Sequence, residues 1–175
     1  MYTVLTCIGH GSTKALRPAE MGPRRLLAER NPPYAPALYF CTRVLGGLYM
    51  VVMEYPSGAS SLHRFFTPSQ DPPLPHPPTA DIVRQGLSKA LDILHGKGYV
   101  FGDLCSSNVL YAPGDKRIFL VDPDHVGTDG KDKYRPCFGV NQGLGVETWD
   151  GMKKLDDHKN LKRVVEGIPK AKVQQ

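Results

Sequence analysis

Apolar residues recur along this chain with two periods. Between Thr79 and Leu94 they fall three or four apart, at Val83, Leu87, Ala90, Leu91 and Leu94, which predicts an amphipathic helix. Thr79 or Asp81 serves as its N-cap, and Gly96 and Gly98 end it. A helix over roughly 152–166 is predicted to bury Leu155, Leu161, Val164 and Val165. Another, over 18–30, is built around Leu26, Leu27 and Ala28; Gly22 and Pro23 interrupt it and Asn31-Pro32-Pro33 stops it. Elsewhere the apolar runs are short and rich in β-branched and aromatic residues. Residues 39–43 and 48–55, separated by Gly46-Gly47, predict a hairpin. Residues 108–111 and 117–121 predict a second, turning at Ala112-Pro113-Gly114-Asp115. Residues 2–8 predict a short strand ahead of a turn at 9–13.

Composition limits what these elements can build. A chain of 175 residues, 41% apolar, suits one domain or slightly more. Six prolines between residues 68 and 78 exclude helix or central strand there and predict a semi-rigid spacer, or else a ligand for an aromatic groove. The longest apolar run, Leu48 to Met53, is far short of the ~20 residues a bilayer requires. No basic region precedes an apolar segment at the N-terminus, so a secretory signal is not expected. Four cysteines exclude a disulfide-dense scaffold and suit a reducing compartment, the cytoplasm or the nucleus. The net charge of +5 is unevenly divided: +4 over 1–50, −3 over 51–130 and +4 over 131–175. The basic residues are scattered without interleaved aromatics, which argues against a nucleic-acid partner. The six histidines show no metal-ligand spacing.

The acidic middle holds the candidate chemistry. Asp103 follows Val100-Phe101-Gly102, Asn108 opens an apolar run five residues later, and Asp122 closes the run Ile118 to Val121. An acid ending a buried strand is costly unless it is paired or bound to a cation. A hairpin between Asn108 and Asp122 brings both to one end of two adjacent strands. Carboxylate and amide oxygens there suit Mg²⁺, with water and phosphate completing the shell. Asp103, beside that pair, is suited to take a proton from an attacking hydroxyl. The plainer alternatives are that Asp103 caps a turn and that Asn108 and Asp122 satisfy local backbone.

Gly102-Asp103-Leu104-Cys105-Ser106-Ser107-Asn108 resembles the catalytic loop of protein kinases, D-L-x-x-x-N. Where that family has H-R-D, this chain has Phe101-Gly102-Asp103; a glycine at the middle position resembles the aminoglycoside-phosphotransferase-like branch. Residues 48–55 look like the strand and hinge that hold adenine, with Met53 as gatekeeper and Glu54, Tyr55 and Pro56 as hinge. Val121-Asp122-Pro123-Asp124 stands where a kinase has D-F-G. The spacings are also similar, 49 residues from Glu54 to Asp103 and 19 from Asp103 to Asp122. Ala35-Pro36-Ala37-Leu38, Val51-Val52-Met53-Glu54-Tyr55 and Asp122-Pro123-Asp124 are most similar to small kinase-like domains of fungal, especially basidiomycete, proteins. The resemblance covers roughly residues 18–165.

It implies an α+β, protein-kinase-like fold, with a reduced N-lobe sheet and hinge strand (1–55), a mainly helical C-lobe (56–166) and a tail (167–175). It also implies an ATP- and Mg²⁺-dependent phosphotransferase acting on a hydroxyl of a protein or small molecule. Asp103 would be the catalytic base, Asn108 and Asp122 the metal ligands, and Met53, Glu54 and Tyr55 the adenine site. Asp124 would assist the metal or cap the next loop. Cys105 replaces a lysine often found two residues after the catalytic aspartate, and reads as an inert thiol.

Other parts of the pattern depart from the family. Gly9-His10-Gly11-Ser12-Thr13 is no G-x-G-x-x-G loop. Thr6 occupies the position of the phosphate-anchoring lysine, with Lys14 as a substitute and Glu20, then Glu29, as its acidic partner. Arg135-Pro136-Cys137 is a poor match to A-P-E. An N-lobe without its first strands leaves an open sheet edge, which predicts a protein partner that completes it. The second reading is therefore a pseudokinase or kinase-fold remnant acting as a binding module.

Overall fold

The computed structural model describes residues 3–7, 23, 25–30, 33–43, 49–66, 76–134 and 150–169; residues 3–7, 40–43, 49–51 and 124 are described by their backbone. The turns at 9–13 and 46–47, the proline run up to residue 75, Lys14, Glu20 and Arg135-Pro136-Cys137 lie outside the described residues.

Three β-prone runs form the first sheet: β1 (Thr3–Cys7), β2 (Leu38–Arg43) and β3 (Tyr49–Glu54). Its order is β1-β3-β2, all antiparallel, so the apolar run of β3 takes the centre. Thr6 stands opposite Val51, and Val4 opposite Met53. At the end of β3 the Glu54 N–H donates to the Ala37 carbonyl at 2.8 Å, and the Ala37 N–H donates to Glu54 Oε2 at 3.1 Å. One side chain thereby ties the exit of the central strand to the entry of β2.

The chain then turns through Gly58 into β4 (Ser60–Ser61) and α1 (Leu62–Phe66). The long helix α2 (Ala80–His95) follows. Thr79 Oγ1 accepts from the Ile82 N–H at 3.3 Å and is the N-cap, while Asp81 sits in the first turn and pairs with Arg84. The predicted stripe of Val83, Leu87, Ala90, Leu91 and Leu94 is wholly buried. It packs with Phe101, Leu104, Val109, Ile118 and Leu120 into the main core, which Leu27 and Ala35 also enter. A Cβ at Gly86 would lie 2.8 Å from Ile118 Cβ, so the missing side chain lets α2 close on the strand carrying Ile118.

Two short sheets complete the described chain. β4 pairs with β6 (Val109–Ala112), which pairs with β7 (Arg117–Leu120) as predicted for a hairpin. β5 (Tyr99–Val100) pairs with β8 (Gly127–Thr128). A single 3-10 turn, Pro123–His125, lies between β7 and β8. Pro23 and residues 25–28 are helical.

The last helix, α3 (Lys154–Glu166), corrects one expectation. Leu155 is not buried but 59% exposed, while Asp156, Asp157, Asn160 and Val165 are buried. Leu161 and Val164 pack partly against the core, and Ile168 just beyond the helix joins it. The reason is phase: at ~100° per residue, Leu155 lies about 240° around the helix from Leu161. The stripe of Leu161, Val164, Val165 and Ile168, carried back by threes and fours, falls on Asn160 and Asp157. Among the described residues, no helix is long and apolar enough to cross a membrane.

Candidate active site

The β6–β7 register places Val109 opposite Leu120, and the Val121 N–H donates to the Asn108 carbonyl at 3.0 Å. Asn108 and Asp122 therefore flank the same end of the hairpin, as their positions in the runs predict. Asn108 is buried, and its Nδ2 donates to both the backbone carbonyl and Oδ2 of Asp103, each at 3.0 Å. These bonds bridge the ends of the loop from 103 to 108 and hold the Asp103 carboxylate in place. The acceptor Oδ1 of Asn108 takes no part in that pair. Asp103 Oδ1 is buried and has no hydrogen-bond partner among the described residues. A buried carboxylate oxygen without a donor is costly, and it is the kind of atom that receives a proton.

Asp122 is exposed, so its position carries no burial penalty, contrary to the premise drawn from the strand pattern. Its cost is instead in the backbone, at φ 57° and ψ 65°, the left-handed region. A non-glycine residue there stores ~1–2 kcal/mol. Cys105 lies between the two acids. Burial raises its thiol pKa, opposed by hydrogen bonds from the Asn108 and Ser107 backbone, and the negative charges of Asp103 and Asp122 raise it further. Both carboxylates thus act on one point. Cys105 is a free thiol held protonated.

Sequence reasoning missed the groups that support this loop from below. Asp157 of α3 is fully buried. Its Oδ2 accepts from the Phe101 N–H at 2.8 Å and from His95 Nε2 at 2.8 Å, and its Oδ1 accepts from the Gly102 N–H at 3.0 Å. Gly102 has φ +81°, and its Cβ position would lie 2.5 Å from the His125 carbonyl oxygen. Glycine is therefore required by both conformation and space. Beside Asp157, Asp156 Oδ2 accepts from the Tyr134 hydroxyl at 3.1 Å, and burial, with the Asp156 charge as a lesser cause, pushes that phenol well above its ordinary pKa. The missed signal was the acidic pair lying in phase with the apolar stripe of α3.

The expected adenine residues lie at the exit of β3. Met53 is half-buried, and Tyr55 is exposed, with its hydroxyl donating to the Ala59 carbonyl at 3.4 Å. The Glu54 N–H is bonded to Ala37, and Pro56 has no N–H. Glu29, the second choice of acid for a lysine partner, is exposed and paired with Arg25 four residues earlier on the same helical turn. Among the described residues no group of three His, Cys, Asp or Glu side chains is placed to enclose a metal. Asn108 and Asp122 provide oxygen donors for part of a shell. That matches a hard cation such as Mg²⁺, which keeps several waters and uses few protein ligands.

A central strand leading through a linker into a buried long helix, then a loop and hairpin carrying Asp, Asn and Asp, define a protein-kinase-like fold of the α+β class. The chain is similar in structure to the kinase PK-1 of Cydia pomonella granulovirus, with a TM-score of 0.70. The two are 19% identical, and the match covers 94% of this chain and 60% of that one. No protein-family model matches the chain, and no curated protein matches it. At this identity the likeness shows the fold.

Proposed function

We propose that this chain is an ATP- and Mg²⁺-dependent phosphotransferase that moves the γ-phosphoryl group to a hydroxyl of a protein or small molecule. The observation that carries this reading is the Asp103–Asn108 unit, clamped at 3.0 Å at the end of the hairpin that leads to Asp122. Asp103 orients the acceptor hydroxyl and takes its proton through Oδ1, unpartnered among the described residues, as the new oxygen–phosphorus bond forms and ADP departs. Asn108 Oδ1 and the Asp122 carboxylate hold Mg²⁺, which when bound neutralises charge on the phosphate oxygens. Met53 lines the adenine site, and Glu54 and Tyr55 contribute backbone groups. With Pro56 lacking an N–H, the Glu54 N–H bonded to Ala37 and the Tyr55 side chain contributing little, hydrogen bonding there is sparse.

A second reading has its own support. On the reading that Thr6 of β1, opposite Val51, fills the position of the family's lysine, that strand supplies no cation for the phosphates. That favours a pseudokinase serving as a binding module. A reduced N-terminal lobe, a partner that completes its sheet, kinship with small fungal kinase-like domains and a cytoplasmic location belong to either reading. Calorimetry of ATP binding with and without Mg²⁺, beside Asp122→Asn, tests the first. Binding that requires Mg²⁺ and weakens in the variant supports the enzyme. A folded protein that binds no nucleotide leaves the binding module.

A further inference from the structure

The C-terminal end of α2 meets α3 through two histidines. His95 closes α2, and its ring lies 5.1 Å from that of His158, centre to centre, at an interplanar angle of 81°. Neither histidine belongs to the catalytic loop or to the hairpin end that carries Asn108 and Asp122.

Three features mark the pair as a site for a metal ion. The first is a nearly enclosed ring nitrogen. The His95 side chain is 9% exposed, and its Nε2 lies 2.8 Å from Asp157 Oδ2. Its other ring nitrogen, Nδ1, has no hydrogen-bond partner among the described residues. A polar atom so placed and left unmatched carries a cost that a ligand removes. The second is the carboxylate behind the ring. Metal-ligating imidazoles commonly donate their second N–H to a carboxylate, which fixes the ring and raises its basicity. Asp157 is placed for that role, itself held by the Phe101 and Gly102 amides. The third is His158, exposed and with no hydrogen bond or ion pair among the described residues, so both its nitrogens are available.

Distance and charge then select the ion. With Zn–N at ~2.0–2.1 Å and tetrahedral angles, two imidazoles on one zinc ion hold their ring centres about 5 Å apart. The separation found here matches that, so the helices need not move, and the exposed His158 ring turns about its own side-chain bonds to present a nitrogen. The lysines of α3 around His158 are each matched by an acid: Lys154 by Asp129, Lys159 by Asp156 and Lys162 by Glu166. Imidazole nitrogens suit zinc, copper and nickel, whereas Mg²⁺ takes oxygen. We propose that His95 and His158 bind a divalent cation of the zinc class, with water filling its remaining positions and Asp157 fixing the His95 ring from behind. The two ligands come from separate helices, so no histidine spacing in the sequence announces them. The ion joins α2 to α3 at the carboxylate that holds the catalytic-loop amides.

The test is an NMR titration of the full chain with Zn²⁺, read on the imidazole nitrogens by long-range proton–nitrogen correlation, with Mg²⁺ alone as the control. Zn²⁺ is expected to shift His95 Nδ1 and one nitrogen of His158 together, while Mg²⁺ leaves both in place. The variant is His158→Gln; its position is exposed, so its thermal melt without metal should match the parent's. Read at His95, the Zn²⁺ affinity of the variant should fall about tenfold or more. Unchanged affinity at His95 in the variant, shifts confined to other residues, or an equal response to Mg²⁺ would each overturn the site. A Zn²⁺-induced shift at His95 Nε2 with Nδ1 unmoved would overturn the role given to Asp157.

Discussion

Gly102 and Cys105 show how closely the loop is built around Asp103. The two oxygens of Asp157 draw in the Phe101 and Gly102 amides, which forces φ +81° at Gly102 and brings it against the His125 carbonyl. A Cβ there meets a backbone oxygen that cannot rotate aside. Gly102→Ala is therefore expected to lose ~2–4 kcal/mol of stability, read from the midpoint of urea unfolding. Cys105 reports the local field. A thiol ordinarily ionises near pH 8.5. Burial and the two neighbouring carboxylates favour the neutral form, so its pKa lies higher and alkylation at pH 7 is slow. Removing one negative charge with Asp122→Asn lowers that pKa and enlarges the thiolate fraction. Iodoacetamide labelling of the Cys105 peptide at fixed pH, followed by mass spectrometry, should accelerate about twofold or more. An unchanged rate would mean that the Asp122 charge does not act at Cys105.

At the level of elements, α3 stabilises the loop through a buried polar face rather than an apolar one. Asp157→Asn puts an NH₂ group against donors, leaving at least one buried N–H unmatched. It should cost about 2–4 kcal/mol, whereas Leu155→Lys, on the exposed face, should stay within ~0.5 kcal/mol. Thermal or urea unfolding of the two variants checks the contrast, and comparable losses would refute the polar anchor. The same helix marks where the sequence stopped being legible. The capped stripe of α2 and the β6–β7 hairpin could be read because their signals are local, a period and a turn. Asp103 was read as lying beside the Asn108–Asp122 pair and outside it, and its hydrogen bonds from Asn108 Nδ2 were not foreseen. Asp157 acts on amides 55 and 56 residues away, and no local pattern encodes that pairing. Leu155 was misjudged by weighing its hydrophobicity above its angle on the helix.

For the whole molecule, the question is whether a chain spanning 60% of a kinase of known structure still joins nucleotide to its two acids. The first sheet reaches the rest of the chain through few described links: Tyr55-Pro56 at the exit of β3, and the Leu120 N–H donating to the Tyr34 carbonyl at 2.8 Å. A nucleotide held between the β3 exit and the hairpin end would bridge these parts and stabilise the folded chain by mass action. At a hundredfold excess over its dissociation constant the gain is ~2.7 kcal/mol. For a domain of this size that is a rise in melting temperature of roughly 5–10 °C. Two isosteric variants separate the roles. Asp122→Asn removes the charge of the proposed metal ligand, so its Mg²⁺-dependent rise should largely vanish. Asp103→Asn keeps an acceptor for Asn108 Nδ2 and leaves the proposed metal pair, Asn108 and Asp122, intact, so under the enzyme reading it should melt like the parent with ATP and Mg²⁺ yet transfer no phosphoryl group. Differential scanning fluorimetry of the three proteins, with ATP alone, Mg²⁺ alone and both, reads the pattern directly. A rise that ignores Mg²⁺ would remove Asn108 and Asp122 from the metal site. A parent protein with a sharp melting transition and no rise would leave the chain a binding module, its surviving Asp–Asn clamp structural rather than catalytic.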